Sequence, residues 1–274
     1  MEHETLIRLG FFFGILLAMA AWETASPKRR PRVSRLQRWS SNLSLVALNT
    51  VLVRLLLPAG TVGVAVLAES RGWGLLNILA LPEWTTVVLA VVVLDLIIYT
   101  QHVIFHAVPM LWRLHMVHHA DPDIDVTTGL RFHPVEIILS MLIKMGAVIL
   151  LGAPVLAVVI FEVLLNATAM FNHGNVRLPS SLDTVLRLFV VTPDMHRVHH
   201  SIIKSETNSN YGFNLPWWDR LFGTYRAQPQ AGHLEMTIGL SQYQNARRQG
   251  LAWMLSLPFT GQPGDYPRHR SSSG

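Results

Sequence analysis

Histidine is the residue type in this sequence whose spacing could do chemistry, because ten of the thirteen histidines gather in five places. Neutral imidazole is a ligand for iron, zinc, copper and nickel. His102 and His106 are spaced i, i+4, and similar close spacings recur in two later clusters. On a helix such spacing stacks the rings on one face, within reach of a shared metal ion. The clustered residues are His102, His106, His115, His118, His119, His133, His173, His196, His199 and His200.

The number of clustered histidines favours a pair of metal ions. A single ion needs about three or four protein ligands, whereas eight to ten match two ions. Ligand type alone leaves iron, zinc and copper open. Iron is favoured by the apolar setting, because inert C–H bonds of lipids are cleaved only with activated oxygen. A membrane zinc-dependent hydrolase with the same histidine cage is the alternative, although the sequence has no His-Glu-x-x-His stretch. A haem carrier would instead hold isolated histidines on facing helices.

The composition predicts an integral membrane protein that carries these histidines. Half of the 274 residues are hydrophobic and only 14% are charged, against about 25% in an ordinary soluble domain. The chain has no cysteine. This excludes disulfides, iron–sulfur clusters, thiolate zinc sites and cysteine nucleophiles.

Hydropathy predicts about four transmembrane helices, formed by three spans and one hairpin. The spans are residues 5–22, 43–68 and 86–106, and the hairpin is 136–172. Residues 28–38 carry six basic side chains, which beside a membrane segment mark the cytoplasmic side. A nucleic-acid patch is the other interpretation, but without interleaved aromatic residues we expect no nucleic-acid partner.

The first apolar run also resembles a signal peptide, because Ala18-Met19-Ala20 fits a small-x-small cleavage pattern. The residues before it are not clearly positive, and the segment after it is strongly basic. We therefore expect it to be retained as a membrane anchor.

Four ionisable residues fall near the middle of predicted spans. Charges at that depth usually face the bundle interior or pair with one another. The alternative is that the span boundaries differ and that the long side chains extend to the interface. The four are Arg54, Asp95, Lys144 and Glu162.

We predict an all-α membrane protein with a cytosolic helical cap that carries a histidine-rich di-metal site. Residues 1–85 would form an N-terminal membrane anchor, 86–226 the catalytic domain and 227–274 a C-terminal cytosolic extension. Apolar residues at helical spacing over 182–190 predict a helix on the membrane surface. The Gly-, Pro- and Ser-rich tail at 261–274 is expected to be disordered.

Over about residues 90–226 the chain resembles the fatty acid hydroxylase/sterol desaturase superfamily of membrane di-iron enzymes. Three histidine boxes carry the resemblance: His-x3-His at 102–106 and His-x2-His-His at 115–119 and 196–200. The flanking motifs are Arg131-Phe132-His133-Pro134-Val135-Glu136, Phe171-Asn172-His173-Gly174-Asn175, Thr192-Pro193-Asp194, Asn210-Tyr211-Gly212 and Trp218-Asp219-Arg220-Leu221-Phe222-Gly223-Thr224-Tyr225. Two positions depart from the pattern, namely Val103, where many relatives have Arg, and Asn208, where relatives often have Asp.

The resemblance implies four transmembrane helices, a cytosolic cap and two iron ions held by the ten clustered histidines. This centre would activate O2 to hydroxylate or desaturate a lipid, with zinc as a possible substitute in purified protein. Electrons would come from an external redox protein, because the chain has no cysteine for a cluster and no recognisable haem or flavin domain. We expect the active site on the cytoplasmic face, and the absence of a lysine-based retrieval signal at Ser271–Gly274 favours a bacterial inner membrane over the endoplasmic reticulum.

Polar and aromatic residues near the boxes are further site candidates. A metal-bound imidazole usually donates its other N–H to a carboxylate or carbonyl, which fixes the orientation of the ring. The candidates for this role are Asp194, Asn172, Asn175, Asn208, Asn210 and Asp219, each of which also fits a turn or a helix cap. Aromatic residues that either line an access route for a lipid or anchor the cap at the interface are Trp112, Trp217, Trp218, Phe222 and Tyr225.

Overall fold

The computed structural model describes residues 4–79, 81–245 and 249–267, and within this part of the chain the fold is all-helical, which confirms the predicted fold class. The first eight helices are α1 (Glu4–Ala25), α2 (Arg35–Leu56), α3 (Gly60–Arg71), α4 (Leu75–Leu79), α5 (Glu83–Ala107), α6 (Pro109–His119), α7 (Pro134–Leu151) and α8 (Val155–Asn172). The shorter helices that follow are α9 (Ser180–Leu186), α10 (Pro193–His199), α11 (Lys204–Thr207), α12 (Trp217–Leu221), α13 (Gly232–Glu235) and α14 (Leu251–Thr260).

Five helical segments of the described chain are long and apolar enough to cross a membrane. They are Leu6–Ala25, Arg35–Leu79, Glu83–Ala107, Pro134–Leu151 and Val155–Asn172. Both arms of the predicted hairpin qualify separately, so the count is five where the sequence gives about four. The second segment contains α2, α3 and α4.

The hairpin of α7 and α8 returns the chain to the end of the bundle from which α7 starts. α7 is capped at its C-terminal end by Gly152, whose φ of 66° is left-handed, and α8 begins three residues after this glycine. The turn lies against Gly74, where a Cβ atom would come within 2.1 Å of the Gly152 backbone nitrogen. Only glycine allows this approach. Behind the turn, apolar residues of α3, α5 and α8 form a shared core that includes Leu94 and Phe161.

Four helix ends meet at the opposite end of the bundle and deliver the histidines there. α5 carries His102 and His106 in its last two turns, and Pro109 then starts α6 in a new direction. α8 ends immediately before His173. Thr192 starts α10 as its N-cap, with its Oγ1 accepting a hydrogen bond from the Met195 amide. The spacing along each helix therefore becomes a common cluster only through helix packing.

The charges in the middle of the spans are partly paired, as one interpretation of the sequence predicts. Glu162 of α8 lies 3.9 Å from Lys144 of α7 and 2.7 Å from Arg8 of α1, and it accepts a 2.5 Å hydrogen bond from Thr61 of α3. Arg54, by contrast, is exposed on α2. One carboxylate thus connects four helices.

Replacing Glu162 by Gln is expected to lower the free energy of unfolding by about 2 kcal/mol, because hydrogen bonds to charged groups are worth about that much and Lys144 keeps a buried charge. The double variant Lys144→Met/Glu162→Gln should recover part of this loss. Thermal unfolding in detergent micelles measures both values. A double variant that is no more stable than Glu162→Gln would contradict the pairing.

Two peripheral segments pack differently from the expectation. The predicted surface helix over 182–190 ends at Leu186 as α9, although its apolar side chains, including Leu182 and Phe189, are exposed as expected. The tail predicted to be disordered from residue 261 is ordered as far as the description extends, because Tyr266 is buried and stacks on Trp112 with ring centroids 5.8 Å apart. Residues 268–274 lie outside the described residues.

Candidate metal centre

Nine of the ten predicted ligands form two adjoining groups in which the ring nitrogens converge. Within each group, one nitrogen from every residue lies within 4.8 Å of the others. The five-histidine group is His102, His106, His115, His119 and His199. The four-histidine group is His118, His173, His196 and His200. All nine side chains are buried, with exposures of at most 3%.

The two groups cut across the histidine boxes of the sequence. On α6, His115 and His119 belong to the five-histidine group, whereas His118 belongs to the four-histidine group. The third box is divided in the same way, since His199 belongs to the five-histidine group, whereas His196 belongs to the four-histidine group. Each of these two boxes therefore contributes to both groups. The groups are close enough for the His119 and His200 rings to stack with centroids 4.6 Å apart.

Several ring nitrogens in these groups lack hydrogen-bond partners and are placed where a metal ion could bind them. Both ring nitrogens of His106, His119 and His200 are buried without a hydrogen-bond partner. Buried polar atoms in proteins normally have partners, so convergent orphan nitrogens are the arrangement that a bound cation completes. Neither group contains a carboxylate or a thiolate among the described residues. The donor set is thus purely imidazole, which suits iron, zinc or copper.

Burial and mutual proximity keep the histidines outside the spans neutral. Burial lowers the pKa of His115 to about 3 and, together with nearby histidines, that of His173 to about 4. The pKa of His118, His196 and His200 lies well below its ordinary value for the same reasons. Metal binding requires the neutral ring, and these side chains are therefore ready to act as ligands at pH 7.

Backbone carbonyls orient three of the rings. The Nδ1 atoms of His102, His173 and His199 each lie 2.7 Å from a backbone carbonyl oxygen. When Nδ1 carries the proton, it donates a hydrogen bond to that oxygen. The acceptors are Tyr211, Ala169 and Ser209, in the same order. For His102 and His173 the Nε2 atom then faces the other histidines, with nearest nitrogens at 3.1 Å.

Glu136 is a site residue that the sequence analysis does not include among its candidates. Its Oε1 lies 2.6 Å from Nδ1 of His115, and its side chain is buried. A carboxylate in this position fixes the tautomer and the orientation of a ligating imidazole. The signal was present in the sequence, because Glu136 ends the Arg131-to-Glu136 motif and follows Pro134 in the first turn of α7.

The structure does not bring His133 into either group. His133 is the N-cap of α7, and its Nδ1 accepts a hydrogen bond from the Val135 amide. Its Nε2 lies 3.2 Å from the Leu255 carbonyl of α14. Pro134 occupies the first helical position and so fixes the start of α7. The imidazole of His133, one residue earlier, therefore caps this helix. Of the three histidines outside the clusters, His233 is half-buried with its Nε2 3.9 Å from Asp194, and His3 and His269 lie outside the described residues.

Two of the six polar candidates hold the loop whose carbonyl orients His102. The Asp219 carboxylate accepts hydrogen bonds from the Tyr211 and Gly212 amides at 2.8 and 2.9 Å. Asn210 has a left-handed backbone with φ of 52°, and its side chain donates to the Met195 carbonyl. These contacts fix the position of the backbone next to the ring.

The other four polar candidates connect the site to surrounding segments. Asp194 forms ion pairs with Lys28 at 2.8 Å and with Arg197. The remaining side-chain contacts are Asn175 with the Arg29 amide, Asn172 with the Phe213 carbonyl, and Asn208 with the Tyr266 carbonyl. Residues outside 86–226, namely Lys28, Arg29 and Tyr266, therefore contact these candidates.

A buried ionic network supports the loop between α6 and α7. Arg38 of α2 donates to both oxygens of Asp121 at 2.7 Å and to Asp125 at 2.5 Å. Burial raises the pKa of Asp121, but the Arg38 and Arg131 guanidiniums outweigh it and leave that pKa below the usual value. Asp121 follows His119 by two residues, so the network fixes the chain next to a candidate ligand.

Comparison with known proteins agrees with this geometry. Residues 87–224, half of the chain, match the family described as fatty acid hydroxylase. The chain belongs to the fatty acid hydroxylase family. The match includes all ten clustered histidines and Glu136, and it confirms the resemblance carried by the histidine boxes.

Fatty acid hydroxylase family members similar to this chain include lipid-modifying enzymes. An ornithine lipid hydroxylase of Rhizobium tropici is 32% identical over 174 residues, which cover 64% of this chain and 50% of the relative. Alkylglycerol monooxygenases of Homo sapiens and Danio rerio are 27% and 31% identical, over 55% and 56% of this chain. The chain spans half of the first relative and about a third of the other two, at 33% and 34%. No solved structure gives a significant match.

Proposed function

We propose that this chain is a membrane-bound di-iron oxygenase that uses O2 and external electrons to hydroxylate a C–H bond of a lipid. The observation that carries the proposal is the pair of adjoining, purely imidazole groups of five and four buried histidines. Two groups correspond to two ions, and a hydrolase would more often have a carboxylate at the metal as a general base. The names of the relatives favour hydroxylation over desaturation.

The iron pair, when bound, would supply the activation of O2, and the chain's own residues would prepare the site for it. The nine histidines would hold the two ions, while Glu136 and the Tyr211 carbonyl keep His115 and His102 in fixed orientations. Complete burial excludes water from the reacting atoms.

Aromatic side chains beside the histidines would provide the apolar environment that a hydrocarbon substrate needs. Phe132 stacks on His118 with ring centroids 4.5 Å apart. Phe213 lies 5.2 Å from His102 and 6.1 Å from His196, and so borders both groups. Aromatic side chains offer no polar group to the hydrocarbon that lies between them. This apolar environment favours reaction at a saturated C–H bond.

The basic segment supports a cytoplasmic position for the site. Its first residue, Lys28, pairs with Asp194 and donates its amide to the Asn175 carbonyl, so the segment lies at the histidine end of the bundle. Lys- and Arg-rich segments next to spans face the cytoplasm. An external redox protein would deliver electrons on that side, because the chain has no cysteine for a cluster.

Metal analysis of the purified full-length chain tests the proposal. We expect about two irons per chain, one for each histidine group, after reconstitution with iron(II). Changing His118, His119, His199 and His200 to alanine should abolish binding because it removes ligands from both groups. His133→Ala is the matched control and should leave the iron content unchanged, since His133 belongs to neither group.

Activity then separates the proposal from its rival. The iron-loaded protein, supplied with a reductant, should convert an ornithine lipid or an alkylglycerol to an oxygenated product that incorporates label from 18O2. A protein that binds only zinc after iron reconstitution, and that cleaves lipids without O2, would instead support the zinc-dependent hydrolase.

A further inference from the structure

An aromatic series connects the surface of the bundle with the five-histidine group. Phe222 stacks on Tyr99 with ring centroids 5.5 Å apart and an interplanar angle of 19°. Tyr99 meets Tyr211 edge-on at 6.3 Å, and Tyr211 lies 5.5 Å from His102. Exposure falls from 55% at Phe222 to 4% at Tyr99 and 0% at Tyr211. The series is thus an unbroken set of ring contacts from the surface to a candidate ligand.

The outer end of this series lies on an apolar surface. Leu221 and Trp217 of α12 are 69% and 46% exposed, and Leu188 and Phe189, just after α9, add 49% and 63%. The patch adjoins α5, which is one of the five segments that could cross a membrane. Such a surface is stable next to lipid but not in water. The occupant that fits it is the acyl chain of a membrane lipid.

Hydrogen bonds hold the segment that carries Phe222 on both sides of this residue, and on its far side the Thr224 carbonyl accepts from the Asn210 amide at 2.9 Å. Asp95 of α5 accepts hydrogen bonds from the Trp218 indole at 2.8 Å and from the Leu215 amide at 3.2 Å, which hold the start of α12. Gly223 follows Phe222 with a left-handed φ of 69°, and open space surrounds the position of its missing Cβ. The part of this segment that can move is the Phe222 ring, which is 55% exposed and can rotate while the backbone on both sides stays held.

Hydrogen bonds connect the same segment to the orientation of His102. The Tyr99 hydroxyl lies 2.8 Å from Thr224 Oγ1, which donates to Asp219 at 2.7 Å. The Asp219 carboxylate holds the Tyr211 amide, and the Tyr211 carbonyl accepts from His102. Tyr99, the residue on which Phe222 stacks, is thus connected to the candidate ligand His102 through Thr224, Asp219 and Tyr211.

We propose that Phe222 and Tyr99 form a lateral gate through which the acyl chain of a membrane lipid reaches the histidine groups. The gate deepens the proposed function and rests on it for its biological meaning. The Phe222 side chain moves when the gate opens, whereas Tyr99 on α5 stays in place. The lipid binds to the apolar patch around α12 before it enters. As all nine histidines are buried, some such displacement must precede contact with a substrate.

Photolabelling in a bilayer tests the gate without requiring metal or activity. The full chain in phosphatidylcholine vesicles is irradiated with a lipid-dissolved aryl diazirine, and labelling of Tyr99 and Tyr211 is measured by mass spectrometry. Phe222→Ala removes the stacked ring and should raise labelling of the two tyrosines by about twofold to tenfold, the range that follows from the strength of an aromatic pair. Phe13→Ala is the matched control because Phe13 of α1 is a phenylalanine of similar exposure, 53%, outside the apolar patch, and it should leave the labelling at the wild-type level.

Two results would overturn the gate. One is equal labelling of Tyr211 in wild type and Phe222→Ala, and the other is an equal increase with a charged, water-soluble diazirine, since the opening would then face water. In the iron-loaded enzyme, Phe222→Trp should raise KM for the lipid while iron content stays unchanged. Failure of the proposed function is distinguishable, because a chain without iron would still report the labelling difference.

Discussion

Replacing Glu136 by leucine should weaken metal binding by the five-histidine group about 10–100-fold and lower activity with it, the range found when an orienting partner of a metal-bound imidazole is lost. In the native chain the Glu136 carboxylate lies 2.6 Å from Nδ1 of His115, and both side chains are buried. Leucine leaves that N–H without an acceptor, and the ring is then free to rotate away from the ligand position. Titration of the metal-free protein with iron(II) measures the effect.

The four-histidine group provides an internal reference for this variant. Its ligands are oriented independently of Glu136, for example through the Ala169 carbonyl at His173, so one of the two irons should keep its affinity. Glu136→Gln retains an acceptor oxygen and should cost less than leucine. Exposed Glu83 at the start of α5 serves as the control position, and Glu83→Leu should bind both irons normally. Unchanged affinity at both groups in Glu136→Leu would show that the contact has no role in metal binding.

Replacing Arg38 by methionine should destabilise the fold by about 3–5 kcal/mol, the cost of removing one partner from a buried ionic network. Arg38 is 1% exposed and is the cation that faces both Asp121 and Asp125. Without it, two buried carboxylates would lack their main counter-charge. We expect a large fall in the thermal midpoint in detergent and a loss of bound iron, because the loop after His119 would no longer be held.

Two further variants in α2 distinguish the loss of the ionic network from a general destabilisation of this helix. Arg35, one turn earlier, makes an exposed hydrogen bond to Thr24, so Arg35→Met should change stability by at most about 1 kcal/mol. Arg38→Lys keeps the charge but cannot bind both Asp121 oxygens in parallel, and it should fall between the two. If Arg38→Met were as stable as Arg35→Met, the network would contribute nothing to the fold.

The sequence by itself determined the family, the candidate metal ligands and the apolar helices. Imidazole is a metal ligand wherever the fold places it, so the types and the i, i+3 and i, i+4 spacings of the boxes identify eight of the nine residues that converge, and His173 is the ninth. The apolar runs are likewise visible without coordinates, because the bilayer sets the length of a helix that can cross it. The family follows from the order of the boxes and from their flanking motifs.

Only the tertiary structure decided how these residues are divided and what orients them. Sequence spacing fixes neighbours along one helix, but it does not state which face meets which helix, and so it could not separate His118 from His115 and His119. It also could not reveal that His133 caps α7, because a capping and a ligating histidine have the same side chain.

The contacts that support the site come from segments far apart in the chain. Glu136 is 21 residues from His115, and Arg38 is 83 residues from Asp121. No local periodicity encodes such pairs, because they arise where separate helices pack against one another. For the same reason the N-terminal region, which the sequence presents as a membrane anchor, also contacts the loop after His119 through Arg38 and the start of α10 through Lys28.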